Sequence, residues 1–226
     1  MIQHVAVVPD GNRRWARRQG VSPLEGHQRG AEVMHRVADY LADKGVKYLT
    51  IWGFSTDNWK RTPEEVENIL GLLGQWLESH TEWAHKRGIR LCHIGQVQYL
   101  PGKLREAIRT ATELTSANQG MTLNVAFNYT GRAEILDAVR RLMVEKVPPH
   151  LVDESRFASC LYTDGTPDVD MVIRTAGDYR ISNFLLWQSA YAEFYFTDVL
   201  WPDFSEEEVE KALSEYSERQ RRFGGD

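Results

Sequence analysis

The sequence predicts an α/β domain with a central, mainly parallel sheet that is flanked by helices. Short apolar runs alternate with segments of helical period along the whole chain, and strands separated by helices build parallel sheets through βαβ units. The 226 residues suit one large domain, and no internal repeat or Gly/Ser-rich linker divides them. We therefore expect a single domain over residues 1–226.

The first half of the chain begins with a buried strand. Residues 4–8 are an apolar run that Pro9-Asp10-Gly11 ends in a turn. Capping signals and apolar spacing predict the elements that follow. These are a helix over 13–18 stopped near Gly20, an amphipathic helix over 31–44 closed by Gly45, a strand over 48–54, and a helix to about residue 86 with Thr62 as N-cap and Pro63 in its first turn.

The second half repeats the alternation of strands and helices. The same criteria predict strands over 89–94, 121–128, 171–174 and 193–196, and helices over 103–117, 132–145 and 206–222. In parallel sheets, ligands bind at the carboxyl ends of the strands. The residues that directly follow each strand are therefore the candidates for function.

Composition and missing motifs exclude several functions. The formal net charge of −5 argues against a nucleic-acid partner, whose binding depends on excess Lys and Arg. Cys92 and Cys160 lack the spacing of a metal site, and free thiols in a reducing cytoplasm are the simpler interpretation. Residues 1–9 do not resemble a signal peptide, and no stretch is long and apolar enough to span a bilayer. P-loop, dinucleotide, zincin and serine-hydrolase motifs are absent. We expect a soluble, cytoplasmic protein.

The loop after the first strand is suited to binding a phosphate group. Asp10-Gly11-Asn12-Arg13-Arg14-Trp15 places a carboxylate and a glycine turn before a helix, whose free N–H groups and dipole favour an anion. Asp10 is suited to Mg²⁺, which takes one or two protein carboxylates and completes its shell with phosphate oxygens and water. In the alternative interpretation, Asp10 is only an N-cap and the arginines form a solvated face.

Two later loops also carry anion-binding side chains. Residues 55–61 combine hydroxyls, an acid, an amide and cations, although a turn with an exposed helix cap would look the same. Arg174, Arg180 and Ser182 could clamp a diphosphate, because guanidinium groups match phosphate oxygens in pairs; the alternative is unrelated surface arginines. His27 lies in a turn-like stretch and on its own is expected to be structural. Three such loops after three strands favour one shared anion site.

Several long motifs follow one another along nearly the whole chain. They span residues 4–6, 10–16, 26–27, 54–59, 128–132, 173–175, 180–188, 190–193, 200–202 and 222–224. By these motifs the chain closely resembles the cis-prenyltransferase family, typified by undecaprenyl diphosphate synthases. The resemblance implies condensation of isopentenyl diphosphate with an allylic prenyl diphosphate, such as farnesyl or geranyl diphosphate, to a Z-prenyl or polyprenyl diphosphate.

The same resemblance implies a cofactor, a tunnel and a partner. The cofactor is Mg²⁺, and an elongated hydrophobic tunnel holds the growing chain. The protein is a homodimer in which Arg222-Phe223-Gly224 reaches the partner's site. Peripheral membrane contact during product release is compatible with this activity.

Matching motifs also assign roles to individual residues. Asp10 and Asn58 are the catalytic candidates, and Asp10 and Glu193 are the metal candidates. The acceptor of the proton stays open between diphosphate oxygens, Asp10, Asn58 and His27. The candidates for substrate binding are Gly11, Asn12, Arg13, Arg14, Trp15, His27, Ser55, Trp59, Arg61, Arg174, Arg180 and Ser182, of which the last three are expected to hold isopentenyl diphosphate.

Some residues depart from the family's pattern or bear on product length. Pro23 stands where many bacterial members carry an arginine, and Tyr179 stands where some carry a metal-proximal histidine. Asp178 replaces the usual glutamate. These departures leave two alternatives: a short-chain or irregular prenyl diphosphate synthase of specialised metabolism, or a non-catalytic partner subunit of the same fold. The candidate tunnel wall is the helix over 66–83 together with Val33 and Val37, and Trp52 and Phe127 would shorten the product if they face the tunnel.

Overall fold

A six-stranded parallel sheet forms the centre of the computed structural model, which describes residues 2–218. Every strand pairing within these residues is parallel, so the predicted central sheet is confirmed. The strand order is β3-β4-β2-β1-β5-β6. The strands are β1 (His4–Val8), β2 (Tyr48–Ser55), β3 (Arg90–Ile94), β4 (Thr122–Tyr129), β5 (Met171–Arg174) and β6 (Glu193–Phe196).

Helices cover both faces of this sheet, as predicted. They are α1 (Asn12–Gln19), α2 (Pro23–Asp43), α3 (Pro63–Lys86), α4 (Gly102–Thr115), α5 (Gly131–Val144), the short α6 (Glu154–Ala158) and α7 (Glu206–Glu218). The sequence did not predict α6. The predicted end of the last helix at residue 222, and the Arg222-Phe223-Gly224 tail, lie outside the described residues. None of the helices within residues 2–218 could cross a membrane by length and apolar character.

Helix α2 begins eight residues earlier than the sequence pattern predicted. Ser22 accepts a hydrogen bond from the Glu25 backbone N–H (3.3 Å), and the Glu25 carboxylate accepts one from the Ser22 backbone N–H (2.9 Å). This capping box, followed by proline at the first helical position, fixes the start of α2. His27 therefore lies in the second turn of a helix, and its placement in a turn-like stretch was wrong.

Side chains alternate between the two faces of the sheet and build two cores. Along β1, Val5 and Val7 join the large core beneath α2, α3, α4 and α7, whereas Ala6 and Val8 face a smaller core on the other side. The free cysteines Cys92 and Cys160 make no disulfide. Because all the strands run in one direction, the loops that follow β1, β2 and β5 meet at one edge of the sheet.

Candidate active site

Asp10 stands at the carboxyl end of β1, and Thr175 holds its backbone. The Thr175 hydroxyl accepts a hydrogen bond from the Asp10 N–H (2.8 Å) and donates one to the Asp10 carbonyl (2.8 Å). The Asp10 carboxylate accepts a hydrogen bond from Arg174 (2.9 Å) and lies 3.5 Å from the Arg14 guanidinium. A carboxylate and two arginines from three different segments therefore converge at this point.

Arg174 is a buried cation that organises the loop after β5. Only 4% of its side chain is exposed, and its Nη1 donates to the Arg180 carbonyl (2.5 Å) and to the Ser182 hydroxyl (2.7 Å). Its Nε is buried and has no hydrogen-bond partner in the described structure. Asp178 accepts two hydrogen bonds from Arg180 (3.0 and 2.9 Å). Burial opposes ionisation of Asp178, but these bonds and the nearby arginine charges outweigh it and lower its pKa.

The amino end of α1 points its backbone at the same place. Gly11 precedes α1 with a φ of 105°, and a Cβ there would lie 2.9 Å from Leu200 Cδ2, so both backbone angle and packing require glycine. A Cβ on Gly26 would lie only 2.4 Å from the Asn12 carbonyl oxygen, which shows how closely α2 approaches α1. The first N–H groups of a helix lack partners within it, and the Asn12 Oδ1 atom is also buried without a partner.

His27 faces the same cavity from α2. Its Nε2 is buried without a hydrogen-bond partner among the described residues. Burial, and then the positive charge of Arg61, lower the pKa of His27 to about 4, so the ring is neutral at pH 7. Glu65 holds Arg61 through a 2.8 Å ion pair and lies 3.8 Å from the Arg13 guanidinium. The neutral imidazole can therefore accept a hydrogen bond or a proton beside two cations.

The loop after β2 contributes a rigid polar turn. The Asn58 side chain accepts a hydrogen bond from the Ser55 N–H (2.9 Å), and the Ser55 hydroxyl accepts one from the Asp57 N–H (3.1 Å). Ser55 and Asn58 both line the cavity. Trp59 instead donates from Nε1 to the Asn128 side chain (2.8 Å) and packs edge-on against Phe54. Trp59 thus supports the wall from behind.

This polar mouth opens into an apolar tunnel between the sheet and helices α2 and α3. The whole cavity has a volume of about 320 Å³. Its polar wall includes Asp10, Arg13, Arg14, His27, Asn58, Arg61 and Arg174, and its apolar wall includes Met34, Ile51, Phe54, Ile69, Leu72, Leu73, Trp76, Val125 and Phe127. The predicted tunnel and its contact with α3 are therefore present. An anionic head and an apolar tail would each find a matching surface.

The expected tunnel wall needs two corrections, at Val33 and Val37, and the structure also decides on which face of the sheet Trp52 lies. Val33 and Val37 are fully packed core residues and do not line the cavity, because α2 presents Ala31 and Met34 to it instead. Trp52 borders the cavity beside Gly53, but its ring stacks on Phe184 in the core on the opposite face of the sheet. A ring on that face does not narrow the tunnel.

Besides Trp59, four predicted site residues lie away from the cavity wall or from Asp10. The Trp15 indole donates to Asp203 (2.8 Å), and Arg180 and Ser182 form a second layer around Arg174. Glu193 begins β6 and pairs through Met171 with Val5, five residues before Asp10. At about 3.3 Å per residue, this places Glu193 roughly 16 Å from Asp10 along the strand direction. One chain therefore does not bring these two carboxylates together.

The donor set at Asp10 fits a magnesium ion that is shared with a substrate. No cluster of three or more His, Cys, Asp or Glu side chains suited to a metal occurs within residues 2–218. The Asp10 carboxylate, next to buried polar atoms that have no hydrogen-bond partner among the described residues, is nevertheless suited to a Mg²⁺ ion whose shell phosphate oxygens and water complete. The residues present therefore suit a magnesium–diphosphate complex better than a free ion.

Sequence reasoning missed three residues that organise the site. Thr175, which the sequence motifs contain without a role, fixes the Asp10 backbone. Glu65, for which the sequence analysis predicts no role, pairs with Arg61, and its spacing of four from Arg61 is typical of an ion pair. Asp178, a departure from the family's pattern, lies within 3.7 Å of Arg14 and 3.5 Å of Arg174. Only Glu65 had a local signal that could have found it.

Fold and site together define a parallel α/β protein that binds a ligand with an anionic head and a long apolar tail. The sequence profile of the family described as "Putative undecaprenyl diphosphate synthase" matches residues 8–224. The chain is 46% identical to an isoprenyl transferase of Fusobacterium nucleatum over 99% of this chain and 96% of the relative. The chain belongs to this family, and the resemblance found in the sequence is confirmed.

Other relatives point the same way. The chain is 44% identical to the Escherichia coli ditrans,polycis-undecaprenyl-diphosphate synthase that is specific for (2E,6E)-farnesyl diphosphate, over 99% of this chain and 90% of the relative. Among solved structures, it matches lavandulyl diphosphate synthase from Lavandula x intermedia in complex with dimethylallyl diphosphate. That match has a TM-score of 0.95 and 37% identity, and it covers 99% of this chain and 98% of the other.

Proposed function

We propose that this chain is a Mg²⁺-dependent cis-prenyltransferase that condenses isopentenyl diphosphate with an allylic prenyl diphosphate. The observation that carries the proposal is the two-part cavity, in which an Asp10–arginine mouth continues into an apolar tunnel. The mouth suits two diphosphates and the tunnel suits a prenyl chain. Family membership gives the reaction class, and the double bond that forms has Z geometry.

Roles follow from the position of each side chain. The allylic diphosphate would lie on the amino end of α1, where Gly11, Asn12, Arg14 and His27 line the cavity. Asp10 would hold Mg²⁺, which supplies charge stabilisation on diphosphate oxygens when it is bound. Arg174 is the buried cation for isopentenyl diphosphate, and Arg180 and Ser182 border it. Arg13, Arg61 and Ser55 border the mouth, whereas Trp15 and Trp59 support its walls.

The reaction uses groups that this chain holds in place. The allylic C1–O bond breaks, and its electron pair leaves with the diphosphate, whose growing charge the guanidinium group of Arg14 stabilises. The C3=C4 π electrons of isopentenyl diphosphate form the new bond to that C1. A proton then leaves C2, and its C–H electron pair forms the C2=C3 double bond. Holding the two carbons close together supplies much of the acceleration.

The acceptor of the C2 proton is one of the groups at the mouth. His27 is neutral at pH 7 because burial lowers its pKa, and its Nε2 has no protein partner in the described structure. The Asp10 carboxylate already accepts a hydrogen bond from Arg174, and the Asn58 amide oxygen accepts one from the Ser55 N–H. Diphosphate oxygens and His27 are therefore better suited to this role than Asn58.

The proposal is tested with labelled isopentenyl diphosphate, Mg²⁺ and farnesyl, geranyl or dimethylallyl diphosphate. Radio-chromatography sizes the product, and NMR reads its double-bond geometry. We expect new Z-prenyl products that EDTA abolishes, and loss of turnover in folded Asp10→Ala protein. A folded protein that gives no product with any starter refutes the proposal, and full activity of Asp10→Ala refutes the metal role of Asp10.

A second candidate is an irregular prenyl diphosphate synthase. The match to lavandulyl diphosphate synthase at a TM-score of 0.95 favours it. An enzyme of this kind would form product from dimethylallyl diphosphate alone, without isopentenyl diphosphate. The same assay with each substrate omitted in turn separates the two reactions.

We also propose that the enzyme works as a cytoplasmic homodimer that touches a membrane only when it releases product. Family membership supports the dimer, and Tyr179 and Tyr191 near the β6 edge are largely exposed in the single chain. Light scattering after size exclusion measures the assembly. Flotation with anionic vesicles, with and without product, tests the membrane contact. A monomer that is fully active at assay concentration contradicts the dimer.

A further inference from the structure

The apolar tunnel ends inside the domain. Along α3, the residues that line it run from Ile69 to Trp76. On α2 the lining ends at Met34, on β2 at Ile51 and on β4 at Val125. Beyond this level the interior is filled by fully packed side chains, namely Val37, Leu41, Leu49 and Leu123. A further cavity, behind Leu73 and Val125, measures only about 20 Å³.

Trp76 forms the end wall on the α3 side, and its ring is held firmly. It is 4% exposed, and it stacks on His80 with ring centres 4.9 Å apart and planes 8° apart. His80 contacts His35 (4.7 Å), which in turn packs on Trp83 (4.2 Å). This row of rings between α2 and α3 keeps the Trp76 indole in place against the tunnel. Neither His35 nor His80 lines the tunnel.

Phe127 narrows the tunnel from the sheet. It is 2% exposed and stacks on Phe54 with ring centres 5.1 Å apart. A Cβ on Gly53 would lie 3.0 Å from the Phe127 ring, and the pairing of β2 with β4 shifts register at this glycine. The bulge therefore makes room for the phenylalanine at this position. Phe127 cannot move towards β2 without a clash.

The depth of the tunnel gives a length for the chain inside it. Helix α3 starts beside the mouth residue Arg61, and the 13 residues from Pro63 to Trp76 rise about 20 Å. An isoprene unit adds four backbone carbon–carbon bonds of about 1.5 Å each, or roughly 5 Å when extended. About four units therefore fit between the mouth and Trp76. The cavity volume of about 320 Å³ is also small among the volumes of ligand pockets.

We propose that Trp76 and Phe127 are specificity-determining residues that stop elongation at about four isoprene units. This inference rests on the proposed prenyltransferase function and names its product class. A chain that reaches the indole can grow further only if the ring is displaced, and the stacked His80 and the packed residues below leave no space for that. The product then leaves as a short Z-prenyl diphosphate of about four isoprene units, and not as an undecaprenyl diphosphate, which has eleven.

Product length in matched variants tests the inference. Farnesyl diphosphate, labelled isopentenyl diphosphate and Mg²⁺ are supplied to wild type, Trp76→Ala, Trp76→Leu and Phe127→Ala. The control is Trp187→Ala, which removes the same kind of side chain from a separate cluster, where it packs on Phe157 and does not line the tunnel. We expect wild type and Trp187→Ala to stop near four units, and Trp76→Ala and Phe127→Ala to add at least one further unit. Trp76→Leu leaves a smaller gap in the wall than Trp76→Ala, so it is a second variant in case Trp76→Ala does not fold. Thermal melting tests whether each variant is folded.

A binding measurement separates failure of this inference from failure of the proposed function. Calorimetry compares geranylgeranyl diphosphate, with four units, and heptaprenyl diphosphate, with seven. We expect wild type to bind the longer ligand at least tenfold more weakly, and Trp76→Ala to reduce that difference severalfold. Equal affinity of wild type for both ligands, or a wild-type product near eleven units, overturns the inference. Absence of turnover with the expected binding pattern refutes only the proposed reaction.

Discussion

The Thr175 hydroxyl offers the sharpest test of how this site is organised. Thr175→Val keeps the β-branched shape but removes the donor and acceptor that hold the Asp10 N–H and carbonyl, both at 2.8 Å. A hydrogen bond contributes about 1 kcal/mol net, and an unpaired buried group costs about 1–3 kcal/mol. Because Asp10 is half-buried and can recruit water, we expect the free energy of unfolding to fall by about 1–3 kcal/mol in total.

Activity should fall further than stability alone predicts. Asp10 would lose the only side-chain hydrogen bonds to its backbone seen in the described structure, and misplacing a reacting group by about 1 Å can cost on the order of a hundredfold in rate. We expect kcat/KM to fall at least tenfold at 25 °C in a steady-state assay, where the variant is still folded. Urea denaturation gives the free energy of unfolding.

Two control variants distinguish loss of Asp10 positioning from a general loss of stability. Thr175→Ser keeps the hydroxyl and should retain most of the activity. Thr163→Val removes a buried hydroxyl that accepts a 2.8 Å hydrogen bond from Gln188 on the other face of the sheet, so it should cost stability and leave kcat/KM unchanged. If Thr175→Val is destabilised but fully active, the backbone clamp has no catalytic significance and the reasoning is wrong.

Other changes have outcomes that the structure also sets. Gly26→Ala places a Cβ 2.4 Å from a backbone oxygen of α1, so it should lower the free energy of unfolding by about 1–3 kcal/mol and reduce activity. Gly71→Ala, whose Cβ points into open space on α3, should raise it by up to about 1 kcal/mol. Urea midpoints of the two variants that shift in the same direction would contradict this. Glu134→Ala takes the acceptor away from three hydrogen-bond donors, those of Tyr129, Tyr162 and Gln188, and should cost about 1–3 kcal/mol for each buried donor left unpaired, so a total loss below about 1 kcal/mol by denaturation would count against the network. Burial lowers the pKa of His27 and His93 to about 4, so the unfolded chain binds more protons between pH 6.5 and 4, and stability should fall as pH falls through that window by up to roughly 3 kcal/mol per histidine. A flat stability profile between pH 7 and 4, or an unchanged slope in His27→Gln, would exclude this origin.

Local signals in the sequence explain most of the fold. Apolar runs such as residues 4–8 predicted the strands, because a parallel sheet is buried on both faces. Thr62 and Pro63 marked the start of α3, and the structure has that cap. The sequence pattern did not predict the start of α2, although Ser22 and Glu25 form a capping box, because Gly26 beside His27 is typical of a turn. Gly26 and Gly30 allow close helix packing instead.

The sequence by itself determined the fold class, the family and the loops that carry the site. These depend on short-range periodicity, capping and long motifs, which are all encoded between near neighbours in the chain. Only the tertiary structure decided that Thr175 clamps Asp10, that Trp52 faces away from the tunnel, that Glu193 lies far from Asp10 within one chain, and that Trp76 closes the tunnel. Each of these depends on contacts between residues distant in sequence, set by strand register and by how closely helices pack. No local pattern carries that information.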